Sequence, residues 1–439
     1  MAFRAFYASS KISKLRVFNA WRETESLSLR HILYPSSVEI TKQAAQPTGT
    51  ASPSLRELAV FFLKLGTFSF GGPAAHIAMM EDELVRRRAW LSREKFLDLL
   101  GASNLIPGPS SSELAIHIGY LCAGWPGLLL AGLCFILPAS CMVGALAWVY
   151  VHLGRMPAVS AVLYGIKPVV IAVVLQALWG LGRTAIKSRL LAVVAVAATV
   201  LGFMGLHPLL LLLIAGAAVA LATKIRFGAH GRSSLSLITF MNPARWPSFK
   251  SLFAGAAAAT AAASFSLGSL FLVFLKIGAV VFGSGYVLLA FLRADLVVHR
   301  GWLTSAQLLD SIAVGQITPG PVFTTATFIG YLLGGFPGAV VATVAIFLPG
   351  FVLVAASGPL IPRLRQSKIA GAFLDGVNAG SLALMAVVSW QLGRTSITDW
   401  PTAALAVISA VALLRFRVNS AWLVLLGAVA GLVISAFRR

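Results

Sequence analysis

Apolar residues along this chain come in runs of roughly 20, the length a helix needs to cross a bilayer core, with short polar or basic stretches between them. In the first half the runs cover about residues 55–80, 100–124, 126–151 and 157–181, then a shorter pair at 188–205 and 207–223. The second half repeats the plan at about 267–292, 308–333, 337–360, 369–393, 401–415 and 420–437. This pattern predicts an all-α integral membrane protein with about 10–12 membrane segments. Residues 1–53 are polar and basic with no long apolar core, so they do not form a signal peptide of ordinary type. They are expected to be a disordered extension.

The two halves are copies. Residues 64–109 and 276–321 align at a constant offset of 212 without a gap, with 15 of 46 positions identical, including both Pro-Gly-Pro triplets. The expected organisation is therefore a first repeat at 54–223, a basic and Ala-rich linker at 224–264, and a second repeat at 265–439. An odd number of crossings per half would turn the second copy upside down, giving inverted-topology repeats with the substrate held between them. The loop bearing Arg86, Arg87, Arg88, Arg93 and Lys95 is strongly basic, whereas its counterpart sets Arg293, His299 and Arg300 beside Asp295. That asymmetry favours a cytoplasmic first loop, but Arg363, Arg365 and Lys368 oppose it, and the positive-inside rule leaves orientation open.

Composition narrows the function classes. With 58% hydrophobic and only 11% charged residues, the chain is excluded as a soluble globule, for which about 25% charged is usual. The net charge of +21 is read as loops that retain Lys and Arg. No basic patch on a soluble domain is long enough for nucleic acid. Cys122, Cys134 and Cys141 sit in apolar runs without metal-ligand spacing, so buried thiols are expected, with no metal and no cofactor.

Two kinds of break recur inside these apolar runs. Gly71-Gly72-Pro73 matches Gly283-Ser284-Gly285, and Pro107-Gly108-Pro109 matches Pro319-Gly320-Pro321. Proline removes a backbone donor and glycine permits unusual dihedrals, so each triplet predicts an interrupted helix. Non-helical backbone at membrane depth survives where protein or a watery cavity covers it. After each Pro-Gly-Pro a helix starts with hydroxyl residues, Ser110, Ser111 and Ser112 in one half and Thr324 and Thr325 in the other. A helix start carries unpaired N–H groups and about half a positive charge, a ready oxyanion site.

Lys64 and Lys276, repeated within apolar sequence, are expected to add positive charge there. The matched amides Asn104 and Gln316, three residues before each first proline, are candidate donors to the same cavity. Glu113 completes a Ser110-x-x-Glu113 capping-box pattern, with proton coupling as the sharper alternative. Asp98 and Asp310 are candidates to brace a gate by pairing with Arg88 and Arg300. His76 and His117, without histidine counterparts in the second half, are read as satisfied polar groups.

Several motifs in order carry a resemblance. FGGPxAH at 70–76, RRxWL at 87–91, NLIPGPSSSE at 104–113, and FGSGYVLLAFL and GQITPGPVFTTATFIGYL in the second half resemble the chromate ion transporter family in its long, two-domain form. The likeness covers about residues 54–437. It implies a multi-pass protein of the cell (inner) membrane that exports chromate at the expense of the proton-motive force, treats sulfate as an analogue, and has halves of opposed orientation. The reading admits a homodimer. Signature positions implied by the family are Gly71, Gly72, Pro73, Arg88, Trp90, Asn104, Pro107, Gly108 and Pro109 with their second-half matches. Sulfate transport, a passive anion channel and a membrane enzyme acting on lipid phosphate stand as alternatives. The last lacks the clustered carboxylates or histidines that activate a nucleophile.

Overall fold

The computed structural model describes residues 53–154, 156–228, 265–282, 285, 287–357, 367–416, 418 and 420–437. The N-terminal extension through residue 52, most of the linker, Gly283, Ser284, Arg363 and Arg365 lie outside the described residues. Among those residues every regular element is helical. The first repeat gives α1 (Leu55–Phe68), α2 (Gly72–Glu81), α3 (Arg93–Ser103), α4 (Ser110–Leu153), α5 (Pro157–Ala185), α6 (Arg189–Phe203) and α7 (Pro208–Gly228). The second gives α8 (Leu267–Val280), α9 (Leu288–Leu292), α10 (Ser305–Ile317), α11 (Thr325–Ser357), α12 (Lys368–Ser396), α13 (Trp400–Phe416) and α14 (Ser420–Phe437). The elements correspond one to one.

Local sequence sets the same starts in both copies. Ser54 caps α1 in a reciprocal box with Glu57, and Ser266, its match, caps α8 with Ser269. Ser92 and Thr304 likewise accept from the N–H groups that open α3 and α10. Prolines and glycines set the stops. α4 and α11 each double back: Gly124 and Gly335 adopt φ 62°, and a Cβ on Gly119 or Gly330 would lie 2.3 Å from the carbonyl oxygen of Gly127 or Gly338. Such contact between backbones admits only glycine.

Among the described residues six helices are long and apolar enough to cross a membrane, and three shorter apolar helices, at Arg189–Phe203, Leu267–Val280 and Trp400–Phe416, accompany them. Large apolar side chains point outward along these helices, for example Leu129, Leu133 and Leu137 on α4 and Val193, Val196 and Val200 on α6. Helical spacing of exposed Leu and Val marks a lipid-facing stripe, and the protein is a multi-pass integral membrane protein. The segment at 55–80 is two helices and the one at 100–124 is also split, each broken at its Gly- or Pro-containing triplet. At about 1.5 Å per residue, the 14-residue α1 reaches only about 21 Å, short of the roughly 30 Å hydrocarbon core. None of the three cysteines is fully buried as expected: Cys141 is exposed on the outward face of α4, and Cys122 and Cys134 are half-buried.

The halves are intertwined. α13 and α14 of the second repeat pack on α5 of the first, while α6 and α7 of the first pack on α12 of the second. α4 packs on α11 and α5 on α12, each helix against its own counterpart. A pseudo-two-fold axis therefore runs between these two pairs. Glycines allow the close approach at both related contacts: a Cβ on Gly165 would lie 2.0 Å from the Gly427 oxygen, and one on Gly376 would lie 2.4 Å from the Ala215 oxygen.

Candidate functional site

The interruptions among the described residues meet at the pseudo-two-fold. α1 stops at Phe68, Ser69 is extended, and Gly71 (φ 112°) and Gly72 (φ 74°) turn the chain into α2, whose first turn holds Pro73. Between α3 and α4, Gly108 takes φ 136° and Pro109 caps the new helix; between α10 and α11, Gly320 takes φ 89°. The Gly108 N–H donates to the Val281 carbonyl at 2.7 Å, and the Gly320 N–H donates to the Ser69 carbonyl at 3.1 Å. Ser69 and Val281 are partners at the 212 offset, as are Gly108 and Gly320. Each Pro-Gly-Pro turn is thus hydrogen-bonded to the break in the other repeat's first helix.

His76 joins these two contacts into one locus. Its Nε2 lies 3.3 Å from the Ser69 carbonyl oxygen, and its Nδ1 lies 3.3 Å from Ser111 Oγ at the start of α4. His117, one turn beyond Glu113, touches the Glu113 carbonyl oxygen at 3.0 Å and reaches Ser357 Oγ of the second repeat at 3.1 Å. Both imidazoles are buried and partnered.

The two helix starts are not equivalent. On the first, Ser110, Ser111, Ser112 and Glu113 are all buried. Ser69 Oγ, Ser112 Oγ and both carboxyl oxygens of Glu113 have no hydrogen-bond partner among the described residues. On the second, Thr324 Oγ1 donates to the Pro321 carbonyl and Thr325 Oγ1 to the Val322 carbonyl, both at 2.8 Å. Threonine hydroxyls turned onto their own backbone are less available to a ligand. The capping-box expectation for Glu113 does not hold: the N-cap is Pro109, which has no side-chain oxygen, and Glu113 falls one residue too late.

Other expected site residues have different surroundings. Lys276 Nζ is held 2.6 Å from Asp295, so its charge is matched where it stands. Lys64 is on an exposed face of α1. Asp310 pairs not with Arg300 but with Lys167 of the first repeat at 3.0 Å, and it accepts from the Tyr150 hydroxyl at 2.9 Å. Arg300 instead lies over Trp302, 4.7 Å from the ring centre, and Arg88 over Trp90 at 5.0 Å. This repeated cation–π contact accounts for the Arg-x-Trp spacing. Arg88 also bonds Glu83 at 2.7 Å, and Asp98 is exposed. Asn104 is exposed and ends α3, while Gln316 is half-buried near the end of α10.

Sequence reasoning missed Lys167, Tyr150 and Asp295 as partners and Ser69 as a member of the site. For Ser69 the offset to Val281 was available as a signal, because both stand just before the matched Phe-Gly steps.

The profile of the chromate transporter family matches residues 56–221 and again residues 268–432. A probable chromate transport protein of Synechococcus elongatus is 34% identical over 391 residues, covering 87% of this chain and 95% of that protein. The chromate transport protein of Cupriavidus metallidurans is 34% identical over 384 residues (85% and 92%), and that of Pseudomonas aeruginosa is 32% identical over 367 residues (82% and 87%). No solved structure matches the chain. With a twofold profile match spanning most of its length, and interrupted helices meeting at the centre of its two copies, this chain belongs to the chromate transporter family.

Proposed function

We propose that the protein is a secondary active transporter that moves chromate outward across the cell membrane, driven by the proton-motive force, and so confers chromate resistance. The observation that carries this reading is the reciprocal contact of Gly108 with Val281 and of Gly320 with Ser69. It puts the starts of two helices at the junction of the repeats, the place where alternating-access carriers hold their cargo. Each start offers about half a positive charge, about one together, suited to an anion and unsuited to a cation. The relatives named as chromate transport proteins support chromate as that anion.

In this mechanism the oxyanion contacts Gly108, Ser110 and Ser111 from the first repeat and Gly320, Thr324 and Thr325 from the second, with Asn104 and Gln316 at the ends of α3 and α10. Gly71, Gly72, Pro73, Pro107, Pro109, Pro319 and Pro321 keep the breaks open. Rocking of one inverted repeat against the other exposes the site alternately to each side. Sulfate, also tetrahedral and divalent, is the closest competing cargo. An enzyme acting on lipid phosphate has less support: among the described residues no group of three His, Cys, Asp or Glu side chains is placed to hold a metal ion.

The test is uptake of radiolabelled chromate into everted membrane vesicles from cells expressing the chain. The expected result is energised accumulation, inhibited by excess sulfate and absent from vesicles lacking the protein. Equal accumulation in both vesicle types would refute it.

A further inference from the structure

Among the described residues Glu113 is the one acid at the junction of the breaks. It is fully buried, and neither carboxyl oxygen has a hydrogen-bond partner among those residues. Its side chain lies on the first Pro-Gly-Pro turn, where a Cβ on Gly108 would fall 2.2 Å from Oε1, and against Gly350 of α11 in the other repeat. The second repeat has no acid here, since Thr324 and Thr325 occupy the matching positions.

Among the described residues no neighbouring cation matches a charge on Glu113. α1 contributes Arg56, Glu57 and Lys64, all exposed. α2 contributes His76, bound to Ser69 and Ser111, and Glu81, paired with Arg86 and Arg93. The charged residues of α3 (Arg93, Glu94, Lys95 and Asp98) are exposed. α10 contributes Asp310, already matched by Lys167. α11 carries Tyr331 alone, packed beside Val143 and Phe328. On Glu113's own helix the nearest ionisable group is His117, held by Ser357 and the Glu113 carbonyl.

We propose that Glu113 binds the proton that admits the oxyanion, so that proton and anion occupy the site together and cross the membrane in the same direction. The inference rests on the reading of this junction as the anion site. A dianion facing about one positive charge from two helix starts is already under-compensated, and an adjacent carboxylate would repel it. Protonation removes that repulsion. By linkage, the anion then raises the proton affinity of Glu113 by the same factor that the proton raises anion affinity. Both ligands favour one state, which is the thermodynamic signature of co-transport rather than exchange. A dianion leaving with one proton moves one negative charge outward. The electrical part of the proton-motive force, an inside-negative potential, drives that step, and its chemical part, an inward pH gradient, opposes it.

The experiment uses the full chain, purified and reconstituted in liposomes with a pH-sensitive dye inside. Chromate is added outside, with the potential set by a potassium gradient and valinomycin. In the wild type, influx should rise as the outside is acidified, and the lumen should acidify as chromate enters. In Glu113→Gln, which stays neutral, the acid dependence and the lumenal acidification that accompanies chromate should both be lost. Glu113→Asp, which keeps a titrating group, should retain both. Alkalinisation of the lumen in the wild type would mean exchange and would overturn the proposal. So would Glu113→Gln acidifying like the wild type, since the proton would then be riding on the anion itself. Loss of coupling in both variants would reduce Glu113 to a structural role and overturn it too. Absence of chromate flux in the wild type under any gradient would instead refute chromate as cargo.

Discussion

The amide of Gly320 donates to the carbonyl of Ser69 across 3.1 Å and 251 residues of chain, and the amide of Gly108 repeats the contact with Val281. A Cβ on Gly320 would sit 2.6 Å from the Ala139 Cβ and 3.2 Å from the Gly66 oxygen, at a φ of 89°. Gly320→Ala therefore combines backbone strain of about 1–3 kcal/mol with a clash that pushes the repeats apart. Gly124, at φ 62° with nothing within 4 Å, carries the strain without the clash. Chromate uptake should fall at least about tenfold in Gly320→Ala, since about 1.4 kcal/mol is a tenfold effect, and clearly less in Gly124→Ala. Equal losses in the two would show that close approach of the repeats does not matter.

Lys167 and Asp310 join the repeats by charge. Asp310 is buried, and its ion pair with Lys167 at 3.0 Å is supplemented by the Tyr150 hydroxyl. Removing one partner strands a charge. Lys167→Met should lower stability on the order of 3 kcal/mol, and the double variant Lys167→Met/Asp310→Leu should recover much of the loss. Thermal unfolding of the purified protein in detergent measures both. A double variant no more stable than the single would show that the pair is not coupled.

Much of this architecture was legible in the sequence, because a duplicated pattern predicts its own symmetry. The fixed offset of 212 and the matched Pro-Gly-Pro triplets foretold two like halves with interrupted helices. What could not be read was which side chains face one another across the pseudo-two-fold. Proximity along the chain suggests Arg300 for Asp310, whereas it meets Lys167 on a helix of the other repeat. Arg300 turned to Trp302, two residues away, because a guanidinium at that spacing lies over the indole. The inequivalence of the two helix starts was equally hidden. Ser and Thr look interchangeable as letters, but the threonines satisfy themselves on their own turn while Ser112 and Glu113 do not.

The repeated lysines should behave differently when removed. Lys276 lies 2.6 Å from Asp295, which is buried, so Lys276→Ala leaves an unmatched carboxylate inside the protein. Lys64 is exposed on α1. Lys276→Ala should lower the melting temperature by several degrees more than Lys64→Ala, and Asp295→Asn should partly rescue Lys276→Ala. A larger effect from Lys64→Ala would assign Lys64 a role that its position in the fold does not give it.

Glycines within one helix make the last contrast, because they meet different neighbours. On α5, a Cβ at Gly165 would lie 2.0 Å from the Gly427 oxygen and 2.7 Å from the Gly431 nitrogen, so Gly165→Ala forces α14 away. A Cβ at Gly180, on the same helix, would have nothing within 4 Å. There the substitution only restricts the unfolded chain and improves helix propensity, for a gain of about 0.5–1 kcal/mol. Gly180→Ala should therefore raise the melting temperature and Gly165→Ala should lower it. Because α14 belongs to the other repeat, the loss at Gly165 should come with loosened packing between the halves, seen as faster hydrogen exchange along α5 and α14 together. Exchange that rises on α5 alone would mean that the α5–α14 contact contributes little to holding the repeats together.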